Sequence, residues 1–280
     1  MKQAPVPNGF SQWSSWAAGA QSVDDQPIER ITKICEDIHN IRAYIKLWNI
    51  ASLNRLASLL LPQDKKLVKW FDELPTAWIP LSHFYTNVPD AELEYHLLEY
   101  DTYSDPFAAS VVNSCRAVRI SIHETLITTM LKEGIEATDD RVRASAKIIR
   151  NEVTKMCRSI PYHFSPKMSR GILPKTAKEL DATLRGSPGA YLIMWPIYTG
   201  GMSKATPRRQ RRWIADNLQR INASLGIRMA ASLANNLRKQ DVDMNFEKMA
   251  LEVAEDDASR PRIDIAWKDE VIVVPKSRSS

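Results

Sequence analysis

The sequence predicts an all-α protein, an irregular multi-helix domain in which antiparallel helical hairpins surround one buried apolar helix. Three observations carry this expectation. Glycine is scarce, nine residues against eight tryptophans and nine methionines in 280 positions, which disfavours a sheet-rich fold with many tight turns and suits packed helices. Apolar residues recur at intervals of three and four through most of the chain, the period of one helix face. Capping residues and prolines stand where several of these stripes begin, and glycines where they end. A hydrophobic fraction of 44% is enough to bury a sizeable core in one large or two small domains.

Residues 1–26, rich in Pro, Ser, Gln and Gly, form a poorly ordered N-terminal segment, with Phe10, Trp13 and Trp16 available to dock as a short helix over 12–20. The helical domain then spans 27–240. Ile28, Ile31, Cys35, Ile38, Ile41, Ile45 and Trp48 mark its first helix, with Pro27 in the first turn. Ile50–Leu61 continues helically until Pro62 stops it, and Lys65–Leu74 gives a short helix closed by Pro75. Pro80, Pro89 and Pro106 divide the next thirty or so residues into extended and turn segments on the surface.

Asp105-Pro106 is an N-cap followed by a first-turn proline, and opens a helix over Phe107–Lys132 that Gly134 ends. Thr138, Asp139 and Asp140 open the next, whose face of Val142, Ala146, Ile149, Val153 and Met156 or Cys157 runs up to Pro161. A short turn makes these two antiparallel. A helix around Thr176–Thr183 follows. Ser187 and Pro188 then start the apolar helix through Tyr198, uncharged on every side and therefore the most buried element, kinked at Pro196 and broken by Gly200-Gly201. Thr206-Pro207 starts a helix with Ile214, Leu218, Ile221 and Leu225 on one face, which Gly226 ends, and Ile227, Ala230, Ala234 and Leu237 mark the last helix. Residues 241–280 are an acidic-to-basic tail, in which weakly alternating β-branched residues over Ile263–Val274 allow a short strand or hairpin, or no regular structure.

A net charge of +5 and a pI near 9.0 are mild, and the positive residues are spread out apart from Arg208–Arg212, so bulk charge does not argue for nucleic acid. Cys35, Cys115 and Cys157 are too few and too scattered for a disulfide framework or a zinc site, which fits a reducing compartment. Met1–Asn8 lacks an apolar run of signal-peptide length. The longest uncharged apolar run, Ala190–Tyr198, is far short of the roughly 20 residues that span a bilayer, so no membrane partner is expected.

The motifs that suggest chemistry have ordinary readings. His123-Glu124 begins like a zinc-protease helix, but Ile127 stands where the second histidine would have to be. Tyr162-His163 reads as a packed pair at a helix end. Neither Gly186-Ser187-Pro188-Gly189 nor Gly200-Gly201 has the spacing of a nucleotide-binding loop. No catalytic residue, metal ligand or cofactor is therefore expected. Arg208, Arg209, Arg211 and Arg212 are the candidate site, because four positive charges in a helix's first turn oppose its dipole and call for acidic neighbours. They fit a solvated turn paired with carboxylates of the tail, or a patch that contacts an anionic partner or directs nuclear import.

Several blocks in order are familiar: Trp16-Ala-Ala-Gly-Ala20, Leu74-Pro-Thr-Ala-Trp78, Tyr103-Ser-Asp-Pro-Phe-Ala-Ala, Asn113-Ser-Cys-Arg-Ala-Val-Arg-Ile120 with His123-Glu124, Ile160-Pro-Tyr-His-Phe164, Gly189-Ala-Tyr-Leu-Ile-Met-Trp-Pro196, Arg212-Trp213-Ile214 and Leu225-Gly-Ile227. Over most of residues 15–240 they resemble the C-terminal helical regulatory region of the fungus-specific Zn(II)2Cys6 transcription factors. In that family the helical region follows a binuclear zinc cluster that binds DNA. The cluster needs six cysteines in two close triplets, and this sequence holds three distant ones.

The resemblance implies a transcriptional regulator or co-regulator in the nucleus, without its own zinc-cluster DNA-binding module and so without direct sequence-specific DNA binding. It would act through a protein partner, a DNA-binding transcription factor, or through a small-molecule effector, with control of a fungal metabolite gene cluster as one role. Two alternatives stand beside it: an enzyme on a helical scaffold acting on a hydrophobic metabolite, in the cytoplasm, and a truncated zinc-cluster factor whose cysteine-rich segment is encoded upstream.

Overall fold

The computed structural model describes residues 26–84, 99–165, 168 and 189–243, the side chains of 26 and 241–243 excepted. Among these residues the chain forms seven α-helices and one two-stranded sheet. The N-terminal segment, the helix expected around Thr176–Thr183, the Ser187-Pro188 cap and the strand expected over Ile263–Val274 lie outside the described residues.

Helix α1 (Gln26–Leu47) and helix α2 (Leu53–Asp72) pack as a pair. The break between them comes earlier than the sequence suggests. Asn49 turns into the left-handed region at φ 46°, and Ile50 N–H donates back to the Ile45 carbonyl at 3.0 Å, a left-handed helix ending that asparagine tolerates. Pro62, expected to stop a helix, lies inside α2. Its ring and Ser58, whose carbonyl loses its backbone donor, are both on the exposed side, where water can serve that carbonyl. The stripe Leu53, Leu56, Leu60, Leu67 and Trp70 is buried on both sides of the proline, and that burial outweighs a break costing about 3 kcal/mol. Trp70 fixes the pair by donating its indole N–H to the Pro27 carbonyl at 2.8 Å.

The proline-divided connection is more regular than expected. Strand β1 (Leu81–Phe84) pairs antiparallel with strand β2 (Glu99–Thr102), Leu81 opposite Thr102 and Phe84 opposite Glu99. Tyr100, Asp101 and Thr102 are buried against the fourth helix, while Leu81 and Phe84 remain exposed.

Helix α3 (Pro106–Lys132) starts where the sequence places it. The Asp105 carboxylate accepts from the N–H groups of Phe107 and Ala108 at 2.8 and 2.9 Å. Gly134, at φ 82°, follows its end. Helix α4 (Asp140–Phe164) is capped by Asp139 and runs past the expected stop at Pro161, which sits in its last turn. Contacts of α3 with α4 pair His123 with Ser145, Arg119 with Glu152 and Asn113 with Ser159, so the two helices are antiparallel.

Helix α5 (Gly189–Met202) is the apolar element, and it corrects two expectations. It passes through Pro196, whose lost N–H frees the carbonyl of Leu192 on the helix's exposed side. It also passes through Gly200 and Gly201, which were expected to break it. A Cβ on Gly200 would lie 2.9 Å from Met156 Cε, and one on Gly201 would lie 2.9 Å from Leu237 Cδ1 and 3.3 Å from Ile214 Cγ2. These glycines permit close helix contact instead of ending the helix. Finally, α5 is not buried all round: Ala190, Ile193, Met194 and Ile197 are in the core, but Tyr191 is 52%, Leu192 39% and Trp195 36% exposed.

Helix α6 (Arg208–Leu225) and helix α7 (Arg228–Asp243) form a second antiparallel hairpin across Gly226, at φ 68°. Ile214, Leu218 and Ile221 face Ala230, Leu233, Ala234 and Leu237 in one continuous core with α3, α4 and α5. No described helix is long and apolar enough to cross a membrane.

Candidate functional site

Polar residues inserted into apolar stripes are costly to bury unless they meet partners. On α3, Asn113, Arg116, Arg119 and His123 follow one another at helix-face spacing. On α4, Ser145, Glu152 and Ser159 are separated by seven residues each. Because α3 and α4 are antiparallel, the two rows meet level by level and make a polar seam inside the core.

At its centre Arg119 bridges three helices. Its Nε donates to Asp64 Oδ1 on α2 at 2.8 Å and its Nη1 to Glu152 Oε1 on α4 at 2.9 Å. Arg116 Nε stands 3.8 Å from the other Glu152 oxygen, and Lys155 Nζ is 3.8 Å from Oε1. Two guanidiniums thus balance the two carboxylates of Asp64 and Glu152. His123 Nε2 lies 3.4 Å from Asp64 Oδ2, and its Nδ1 is 3.3 Å from Ser145 Oγ. Burial pushes the Asp64 carboxyl up, but the His123 and Arg119 contacts outweigh it and hold the group below its ordinary range.

Towards the start of α3 the seam becomes neutral. Asn113 uses its whole amide: Oδ1 accepts from Arg116 Nη1 at 2.9 Å and Ser159 Oγ at 3.0 Å, and Nδ2 donates to the Ala109 carbonyl at 2.9 Å. The remaining Nδ2 proton faces His163 Nε2 at 3.2 Å, so that nitrogen is the acceptor. His163 Nδ1 then carries the proton and donates to the Gly189 carbonyl at 3.2 Å, fixing the first turn of α5. Burial lowers the His163 pKa to about 4, which keeps the ring neutral at neutral pH. Arg116 also donates to the Tyr103 hydroxyl at 3.0 Å. Tyr162, whose ring centre is 5.5 Å from that of Tyr103, has no hydrogen-bond partner for its hydroxyl among the described residues. Burial, with Asp105 and Tyr103 adding to it, pushes that phenol up to about 12.

His123 and Glu124 serve different parts of the fold. While His123 faces α2 and α4, the Glu124 carboxylate accepts from Ser203 Oγ at 2.6 Å and the Lys204 N–H at 3.1 Å, tying α3 to the connection after α5. Burial raises the Glu124 pKa against those two hydrogen bonds. Among the described residues, no group of three or more His, Cys, Asp or Glu side chains is placed to hold a metal ion.

The four arginines of the candidate patch are separated by the structure. Arg211 is buried, 3% exposed, and donates through Nε to the Gly201 carbonyl at 2.9 Å and through Nη2 to the carbonyls of Ser203 and Thr206 at 3.0 and 3.1 Å. It serves as a fixed cation for carbonyls at the end of α5 and in the turn that follows it. Arg208, Arg209 and Arg212 are exposed. A signal for this division is present in the sequence, since Arg211 is in phase with Ile214 and Leu218 on the buried stripe.

Sequence reasoning did not single out Asp64, Arg119, Glu152 or Asn113 as interacting residues. Their available signal was polar residues in phase with apolar ones, at 113, 116 and 123 on one helix and 145, 152 and 159 on the next. Asp64 gave no such sign, because a proline two residues earlier suggested that the helix had ended. Compared with protein-family models, curated proteins and solved structures, the chain finds no match in any of the three.

Proposed function

We infer that this chain is a transcriptional regulator or co-regulator that acts by binding, with a DNA-binding transcription factor as its protein partner or a small-molecule effector as its ligand. The reading rests on the resemblance of its ordered blocks to the helical regulatory region of fungal zinc-cluster factors. Three of these blocks contribute to one structural unit: Asn113–Ile120 supplies Asn113, Arg116 and Arg119 of the seam, Ile160–Phe164 supplies His163, and Gly189–Pro196 supplies most of α5, which His163 anchors. The observation that carries the binding role is the outer face of α5. Tyr191, Leu192 and Trp195 are exposed together on a helix without a charged residue, and an uncharged aromatic surface of this kind gains by being covered.

The chain would work in the nucleus without catalysis, control of a fungal metabolite gene cluster being one role, and sequence-specific contact with DNA would belong to the partner. Proximity labelling from a tagged chain in living cells tests this. Nuclear signal with a DNA-binding transcription factor among the labelled proteins supports the reading. Nuclear exclusion with no such factor labelled would sink it.

A second reading, an enzyme acting on a hydrophobic metabolite, draws on two buried groups with displaced pKa values, Glu124 and His163. His163 holds the first residue of α5 and Glu124 the residues just after its end, which puts them about 20 Å apart along that helix. A shared reaction centre needs groups that converge, so the regulator is the better reading.

A further inference from the structure

The end of α1 carries an apolar and cationic surface that nothing in the described fold covers. Nearer its start, α1 is tied to α2 by Arg30 with Glu73 and by Lys66 with Asp37, the latter at 2.8 Å. After Asp37 the sequence holds no acidic residue until Asp64. Within that stretch Arg42, Lys46 and Arg55 are exposed and meet no carboxylate among the described residues.

The apolar part comes from a stripe that outruns its core. Ile31, Ile34, Ile38, Ile41 and Ile45 pack inward, and Trp48 continues their phase. Asn49 then turns the chain towards α2, which leaves Trp48 past the core and 66% exposed. Leu47 beside it is 78% exposed, and Tyr44 lies one turn back, its ring centre 6.2 Å from that of Trp48. Arg42 and Lys46 form one row at a spacing of four, Tyr44 and Trp48 form another, and Leu47 stands between the rows on the outer side of the helix. Single exposed apolar side chains are ordinary, but three large ones on adjacent turns beside unmatched cations make a surface for a partner.

We propose that the end of α1, with Tyr44, Leu47 and Trp48 beside Arg42, Lys46 and Arg55, docks an acidic amphipathic helix of a partner protein. The apolar face of that helix covers the aromatic row and Leu47, and its carboxylates meet the three cations. Charge complementarity selects an acidic occupant, and the neighbouring charges select a narrow one. Glu133 accepts from the Leu53 N–H at 2.7 Å, which sets the end of α3 next to the start of α2, with Glu133 and Glu136 exposed there. A flat anionic surface such as a bilayer, pressed on this end, would be repelled by those carboxylates, whereas a single helix laid along α1 need not meet them. The proposal goes beyond the regulator reading and does not rest on it, since this face is separate from that of α5.

Fluorescence anisotropy of a labelled probe against the full chain tests it. The probe is a peptide of about 15 residues with Leu and Phe at i, i+3, i+4 and i+7 and Asp and Glu elsewhere. It should bind saturably with a Kd on the order of 10 µM, the strength of a small interface, and more weakly as salt rises. Leu47→Ser with Trp48→Ser should weaken binding about tenfold, and so should Arg42→Glu, Lys46→Glu and Arg55→Glu together. Circular dichroism verifies that these surface variants keep their helices. The charge-reversed chain should instead take the same peptide with Lys for each Asp and Glu, and a Tyr191→Ser, Trp195→Ser variant of α5 should bind the acidic probe as the parent does. No saturable binding, equal binding of a scrambled peptide, or binding unmoved by the α1 variants overturns the proposal. Capture of the chain through Leu47 and Trp48 by vesicles of phosphatidylcholine and phosphatidylserine also overturns it, because the occupant is then a bilayer. Self-association that the same two substitutions abolish overturns it as well, because the occupant is then a second copy.

Discussion

Arg119 closes on Glu152 at 2.9 Å across the α3–α4 interface, with Glu152 almost fully buried and Asp64 on the opposite side of the same guanidinium. This contact joins three helices through one cation. Removing a partner from a buried ion pair leaves an uncompensated charge and is more damaging than replacing the whole set by apolar groups. Arg119→Met should therefore cost about 3–5 kcal/mol in urea unfolding. Adding Asp64→Leu and Glu152→Leu to it should recover much of that loss.

His163 makes stability depend on acid. Its pKa is about 4 in the folded protein against 6.5 in the unfolded chain, so the unfolded state binds the proton first. The contribution is fully present above about pH 6.5 and is lost as pH falls towards 4, amounting to roughly 3 kcal/mol. His163→Gln should flatten the stability curve between these limits relative to the parent, as read from chemical denaturation at several pH values.

Gly200 and Gly201 should respond unequally to alanine. Ala suits a helix better than Gly by about 1 kcal/mol, but each new methyl meets a neighbour. At Gly200 the nearest atom is the flexible end of Met156, whereas at Gly201 both Leu237 methyls and Ile214 crowd the site. Gly201→Ala should therefore destabilise by about 1–3 kcal/mol and Gly200→Ala by less. Leu237→Ala should cost less in the Gly201→Ala background than in the parent, which a thermal-melt cycle measures.

The arginines of α6 should divide as the structure divides them. Arg211→Gln removes a charged donor from three carbonyls in a buried turn, of which Ser203 keeps the Thr206 N–H, and should cost about 2–4 kcal/mol. Gln at the exposed positions Arg208, Arg209 or Arg212 should change stability by about 0.5 kcal/mol or less. Thermal unfolding of the four single variants checks the contrast.

What the sequence made legible was local. Asp105, Asp139, Gly134 and Gly226 act through bonds and dihedral angles within a few residues, and each stands at the helix end expected for it. Pro62, Pro161 and Gly200-Gly201 were misleading for one reason. Their local tendency to stop a helix is a few kcal/mol, and the apolar surface buried on either side outweighs it. The seam was partly legible, since its polar members stay in phase with the stripes, but which row meets which depends on two helices packing at one register. The strands at 81–84 and 99–102 gave little periodic signal because each is only four residues long. Arg211 could have been told apart from its neighbours by phase alone.

The regulator reading is tested most directly by comparing all transcripts between a strain lacking this chain and its parent, with the mutant complemented by the native chain or by a Tyr191→Ser, Leu192→Ser, Trp195→Ser variant. A coordinated set of transcripts should fall in the mutant, return with the native chain and fail to return with the α5 variant, although that variant folds. Unchanged transcripts together with an altered metabolite profile would contradict it and favour an enzyme.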